Sequence, residues 1–314
     1  MFLPKIINKI KVPPIKCQGI KTKLVDFISQ SIKWNGDGLW IEPFLGSGVV
    51  LFNIQPERAF VSDTNIHIIN LYNAIKDKKI DSVIVKVFLE EMNSKLLKGG
   101  QEFYNYIRDR FNKHFDILDF LFLNRSCFNG MMRFNSKGLF NVPFGHKPQR
   151  FRQAYVTKIT NQINWIYEVM KDKDWEFKIS DWRETLKTVN ENDFVYLDPP
   201  YIGRHTDYYN NWNENDALEL MYIVKQLSSG FAMSMWLENK YRRNYHIDEY
   251  WNDYAIRSYS HFYHVGPSEN LRNEMKEVLI ISNDNAVDEK EIYTHEKKYK
   301  ILRKQYELAV SEKK

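Results

Sequence analysis

Asp198-Pro199-Pro200-Tyr201 stands directly after the apolar run Phe194-Val195-Tyr196-Leu197, and these residue types together could do chemistry. The two prolines fix φ and remove backbone donors, so the chain stays extended and its carbonyls remain free acceptors. A carboxylate precedes them and an aromatic ring follows. The set suits a flat base bearing an exocyclic amino group. Asp198 and the Pro199 carbonyl can each hold an amino hydrogen while Tyr201 stacks on the ring. Such a grip serves methylation of the amino nitrogen, which requires a methyl-donor site elsewhere in the chain.

That donor site is expected upstream. Leu39-Trp40-Ile41 reads as a short buried strand running into Glu42-Pro43-Phe44-Leu45-Gly46-Ser47-Gly48, and Val49-Val50-Leu51-Phe52 begins a helix. Glycines at a strand-to-helix turn permit positive φ and close approach of a ligand to the backbone. A second strand, Arg58-Ala59-Phe60-Val61-Ser62, ends at Asp63, about twenty residues after the turn begins, where an acid suits ribose hydroxyls. The same Asp63 could serve as a helix N-cap. The full dinucleotide fingerprint G-x-G-x-x-G is absent because position 51 is leucine, which favours a nucleoside ligand without a pyrophosphate and argues against a nicotinamide dehydrogenase.

The elements that must position these groups follow from patterning. The chain has 314 residues, 43% hydrophobic and 27% charged, an ordinary balance for a soluble globular protein. No apolar stretch reaches bilayer-spanning length and no signal-peptide core is evident, so no membrane partner and a cytoplasmic location are expected. Cys17 and Cys127 match no metal-ligand spacing, and no metal is expected. Strands are predicted at Trp175–Ile179, Phe194–Leu197, Phe231–Met235 and Glu277–Ile281, with a helix over Ile20–Ile32. Residues 66–175 read as mainly helical. The predicted fold is α/β: a Rossmann-like sheet with an inserted, mostly helical unit. The expected division is 1–65 and 176–284 for the catalytic domain, 66–175 for the insertion, and 285–314 for a charged terminal helix.

Net charge is only +5, but its distribution is uneven. From Phe120 to Trp165 there is no Asp or Glu, while Arg125, Arg133, Lys137, Lys147, Arg150, Arg152 and Lys158 alternate with phenylalanines. Such a segment fits phosphate neutralisation combined with base contacts. Asn129-Gly130 and Lys137-Gly138 suggest that a hairpin or loop carries the charge.

With these residues in view, most of positions 13 to 283 resembles the Dam-type DNA adenine-N6 methyltransferases (D12 class, alpha group). The likeness is most specific at Asp198–Tyr201, at Glu42–Gly48, at Leu123–Gly130 with Arg133-Phe134-Asn135, and at Phe140–Gly145. Within the class, Pro13–Lys21 is similar to the EcoRV modification methylase. The resemblance implies S-adenosylmethionine as methyl donor and double-stranded DNA as partner. It implies donor contacts from Cys17, Lys21, Glu42, Phe44, Gly46, Gly48, Asp63, Asp181 and Asp198, although Cys17 departs from the tryptophan common in the Dam branch. Lys16 would reach a guanine, Arg133 and Asn129 would lie at the DNA with Arg125 and Asn135, Phe128 would wedge beside the extruded adenine, and Pro143 would touch a thymine methyl. Arg204 to Tyr209 is expected to order over bound DNA.

A site containing GAT is implied, GATATC before GATC, with a monomer or weak dimer and a restriction endonuclease as a possible cognate partner. Cytosine N4, RNA adenine and a glutamine amide are the rival acceptors; Asp rather than Ser or Asn at position 198 favours adenine by family likeness. A binding-only protein with a degenerate core is disfavoured by intact Asp198, Tyr201, Gly46 and Gly48.

Overall fold

The computed structural model describes residues 1–201, 212–239, 243–264 and 272–292. Arg204 to Tyr209 lies outside these residues, as does the expected terminal helix from residue 293 onward.

The centre is a seven-stranded sheet in the order β3-β2-β1-β4-β5-β7-β6. Its strands are β1 (Trp40–Glu42), β2 (Arg58–Asp63), β3 (Asp174–Ile179), β4 (Phe194–Leu197), β5 (Gly230–Asn239), β6 (Ala255–His264) and β7 (Arg272–Ile281). The first five in chain order pair in parallel; β7 inserts antiparallel between β5 and β6. β1 and β4 are buried on both faces, as central parallel strands require. Trp40 stacks on Phe194 and Tyr196 across that pair.

The sheet is flanked by α1 (Val25–Ser31), α2 (Val49–Ile54), α3 (Ile66–Lys76), α7 (Trp182–Leu186), α8 (Glu214–Lys225) and α9 (Tyr245–Tyr250). Between α3 and β3 come α4 (Ser82–His114, broken at Gly100), α5 (Ile117–Ser126) and α6 (Gln153–Met170). Tyr72 of α3 packs on Phe52 and Phe177, so α3 belongs to the layer covering the sheet although it falls within 66–175. His67 points the other way, into Phe111, Phe115, Phe120 and Phe134. Burial lowers its pKa to about 4, so it packs against α4 and α5 as a neutral aromatic.

The predicted basic hairpin forms. Phe134 pairs with Phe140 and Cys127 with Phe144 around the Lys137-Gly138 turn. Helix α1 is shorter than the predicted Ile20–Ile32 because Lys21 turns inward before it. Strand β6 was not expected: Ala255–His264 alternates polar and aromatic residues, without an apolar run. Among the described residues no helix is long and apolar enough to cross a membrane.

Candidate active site

Strand order reverses between β1 and β4, where crossovers leave for opposite sides and a crevice opens beyond the carboxyl ends. The Glu42–Gly48 turn follows β1 and Asp198–Tyr201 follows β4, so both motifs meet at that crevice. Its walls include Cys17, Lys21, Glu42, Phe44, Gly46, Asp63, Asp181, Asp198 and Pro200. Gly46 and Gly48 adopt φ of 50° and 68°, which a side chain disfavours, and a Cβ on Gly48 would meet the Phe52 ring at 2.7 Å. Asp63 accepts the Gly46 amide at 2.9 Å and the Asn65 amide at 2.8 Å. It braces the glycine turn, whereas Asn65 caps α3. Burial pushes the Asp63 carboxyl up, against these two donors.

Lys21 is buried, and its Nζ lies 2.8 Å from Asp198 Oδ1, 2.9 Å from the Gly19 carbonyl and 5.0 Å from the Tyr201 ring centroid. Burial opposes its charge, yet Asp198, Tyr201 and Glu277 hold its pKa well above the usual lysine value. Burial likewise raises Asp198, and Lys21 works against that rise. The pair is an ammonium bound to a carboxylate whose other oxygen remains available. Cys17 is pushed up to about 12 by burial and by Asp63 and Asp198, so it stays a neutral thiol against the turn.

Glu42 is 2% exposed and accepts the Trp40 indole N–H at 2.7 Å. Burial raises its pKa to about 8. A carboxyl raised in the folded state loses stability as pH climbs from its unfolded value to its folded one. Relative to wild type, Glu42→Gln is therefore expected to gain melting temperature steadily between pH 5 and 8 and to level off above. Paired melting curves in that window check it, and a pH-independent difference refutes it.

An aromatic wall closes the crevice at α7. Phe44 lies 6.2 Å from Trp182 and 5.8 Å from Trp212, centroid to centroid. Asp181 caps α7 through the Arg183 amide. Arg183 also ties α7 to Asp216 and Glu219 of α8 at 2.7 and 2.6 Å. Trp182 and Trp212 were missed because, in sequence, an isolated tryptophan reads as core.

The chain belongs to the D12 class N6 adenine-specific DNA methyltransferases. Residues 18–265 match that family. The DNA adenine methylase of Serratia marcescens is 34% identical over 237 residues, covering 72% of this chain and 82% of the relative. Type II methyltransferase M.MjaIII of Methanocaldococcus jannaschii is 30% identical over 256 residues, 73% of this chain and 84% of the relative. Type II methyltransferase M1.LlaDCHI of Lactococcus lactis subsp. cremoris is 27% identical over 295 residues, 88% and 98% respectively.

The residues of this methyltransferase expected at DNA divide in two. Phe128 is 47% exposed, and Asn129, Asn135 and Pro143 are exposed beside it in sequence or across the hairpin. Asn129 adopts φ of 52°, turning the chain after Phe128. Asn135 shapes the hairpin turn by accepting the Lys137 and Leu139 amides. Arg133 bonds Asn141 across the hairpin at 2.8 Å.

Arg125, by contrast, is 4% exposed. It donates to the Pro14 carbonyl at 2.9 Å and lies 4.8 Å from the Tyr155 ring centroid. Its place is beneath the surface, anchoring the segment that carries Lys16. The Asn124 side chain clamps the Lys16 backbone by bonds of 2.7 and 2.9 Å. Lys16 is half-buried, and burial, then Arg150 and Arg125, lowers its pKa to about 8.

Proposed function

We propose that this methyltransferase uses S-adenosylmethionine to methylate N6 of an adenine flipped from duplex DNA, at a site containing GAT, GATATC before GATC. The observation that carries the reading is that the Glu42–Ser47 turn, Asp198 and Pro200 line one crevice, with the Lys21 ammonium bound to Asp198 inside it. The donor carries a sulfonium, an ammonium and a ribose diol. Glu42, Asp63, Asp181 and Asp198 give the crevice acidic groups suited to it, and Phe44, Trp182 and Trp212 suit its adenine. Gly46 lets it approach the backbone beside Cys17, whereas Gly48 faces Phe52 and serves the turn itself.

Bound there, the donor supplies an electrophilic methyl on sulfur. Adenine N6 is a poor nucleophile because its lone pair is delocalised into the ring. With Oδ1 of Asp198 engaged by Lys21, Oδ2 takes one amino hydrogen and the Pro199 carbonyl takes the other. Held this way, the nitrogen pyramidalises and aims its lone pair outward, so positioning and electrostatics supply the rate. Tyr201 offers the stacking face, with Pro200 stiffening the loop. The N6 proton is acidified as methyl transfer begins and passes to Asp198, then to solvent.

A base inside a duplex cannot reach this grip, so it must be flipped. Phe128 is the wedge in this reading; Lys16, Asn129, Arg133, Asn135 and Pro143 face the duplex, and residues 66–175 form the recognition unit. Affinity is expected to fall about 10³-fold or more between 50 and 200 mM salt if six or more phosphates are neutralised. Titration of labelled duplex at the two salts measures it; a salt-independent constant removes the cationic segment from the interface. Incubation with donor and adenine-unmethylated plasmid, followed by single-molecule mapping of modified bases, tests the reaction and the site together. N6-methyladenine in one short motif is expected. No modified adenine despite donor binding overturns the proposal.

A further inference from the structure

Glu277 lies on β7 and is 1% exposed, on the sheet face that also carries the core residues Leu279 and Ile281. A carboxylate there requires partners to offset its desolvation. Its Oε2 accepts the Tyr201 hydroxyl at 3.1 Å and stands 3.9 Å from Lys21 Nζ. That ammonium in turn holds Asp198 at 2.8 Å and covers one face of the Tyr201 ring at 5.0 Å. One buried acid, two strands from β4 in the sheet, therefore touches Tyr201 directly and reaches Asp198 through the lysine they share.

The need for such an anchor follows from the motif. Pro199 and Pro200 have no N–H, so that part of the loop cannot be tied down by its own amides. A tyrosine held only at its backbone keeps two side-chain torsions, whereas pinning the hydroxyl at the far end of the ring removes both freedoms. The Lys21 ammonium lies over one face of that ring. We propose that Glu277 is a positioning residue for methyl transfer, orienting Tyr201 through its hydroxyl and sharing Lys21 with Asp198. The proposal rests on the roles of Asp198 and Tyr201 given above.

Single-turnover methyl transfer to adenine-unmethylated plasmid tests it, with Glu277→Gln, Glu277→Ala, Tyr201→Phe and the Ala/Phe double variant beside Asp198→Ala. Glu277→Ala is expected to slow the step about 10- to 100-fold, the range for displaced reacting groups, with donor Kd within about threefold. Glu277→Gln keeps an acceptor for the hydroxyl and should recover most of that rate, which a variant harmed only in folding would not do selectively. The double variant should lose less than the product of the two single losses. Rates within about twofold of wild type for Glu277→Ala, or losses that multiply in the double variant, overturn the proposal. Should Glu277→Ala not fold, Tyr201→Phe decides: a rate within about twofold of wild type overturns the proposal. An active Asp198→Ala enzyme would instead sink the underlying assignment of the catalytic loop.

Discussion

Asp198→Ala is expected to lower the single-turnover rate of methyl transfer by roughly 10³-fold while donor affinity changes much less. Alanine removes the acceptor for an N6 hydrogen and leaves the Pro199 carbonyl alone, so the amino group can stay planar and conjugated. Asp198→Asn is expected to lose less, about 10- to 100-fold, because the amide oxygen still accepts one hydrogen while the charge is gone. The gap between the two variants therefore separates hydrogen bonding from charge. Neither should collapse the fold. Lys21 keeps its bond to the Gly19 carbonyl and has Glu277 Oε2 at 3.9 Å as a second acid. Rapid-quench measurement with tritiated donor and saturating plasmid gives the rate, and equilibrium titration gives the donor constant. An Asp198→Ala enzyme within tenfold of wild type would remove Asp198 from the chemistry.

The sequence was most legible where the chemistry is written in consecutive residues. The predicted strand Phe194–Leu197 matches β4, and the glycine turn, the second strand and Asp63 fall where their spacing placed them. Such motifs depend on local backbone constraints, which a single sequence displays. Long-range pairing is not displayed in this way. Nothing near Lys21 indicated that it would turn into the interior to meet Asp198 and Glu277. The one available signal was Glu277 itself, an acid at the head of the apolar run Val278–Ile281, where a buried carboxylate needs a cationic or donor partner. Arg125 shows the opposite failure. A cation in an acid-free segment reads as a phosphate contact, yet its position on a helix facing Pro14 and Tyr155 buries it. Composition reports that a surface is basic without saying which cations reach it.

The largest expected effect on stability belongs to Lys21→Met, which preserves the aliphatic stem and removes the ammonium. Asp198 and Glu277 would then share a buried space with no cation, and losing one partner of a buried ion pair typically costs about 3–5 kcal/mol. The loss should depend on pH in a definite direction. In the wild type the lysine pKa lies above its ordinary value, so the lysine's contribution is fully present throughout pH 6–9 and is lost only at higher pH. In the variant, burial and the neighbouring carboxylate raise Asp198 unopposed, and protonation relieves the strain at low pH. The deficit in melting temperature relative to wild type should therefore widen from pH 6 to pH 9. Activity should follow the same logic. An ionised Asp198 is the better acceptor for an amino hydrogen, so the acid limb of the pH–rate profile should lie at higher pH in Lys21→Met than in the wild type. A deficit independent of pH together with an unshifted acid limb would mean that Lys21 merely fills space, and that the charge on Asp198 is maintained by some other group in the crevice.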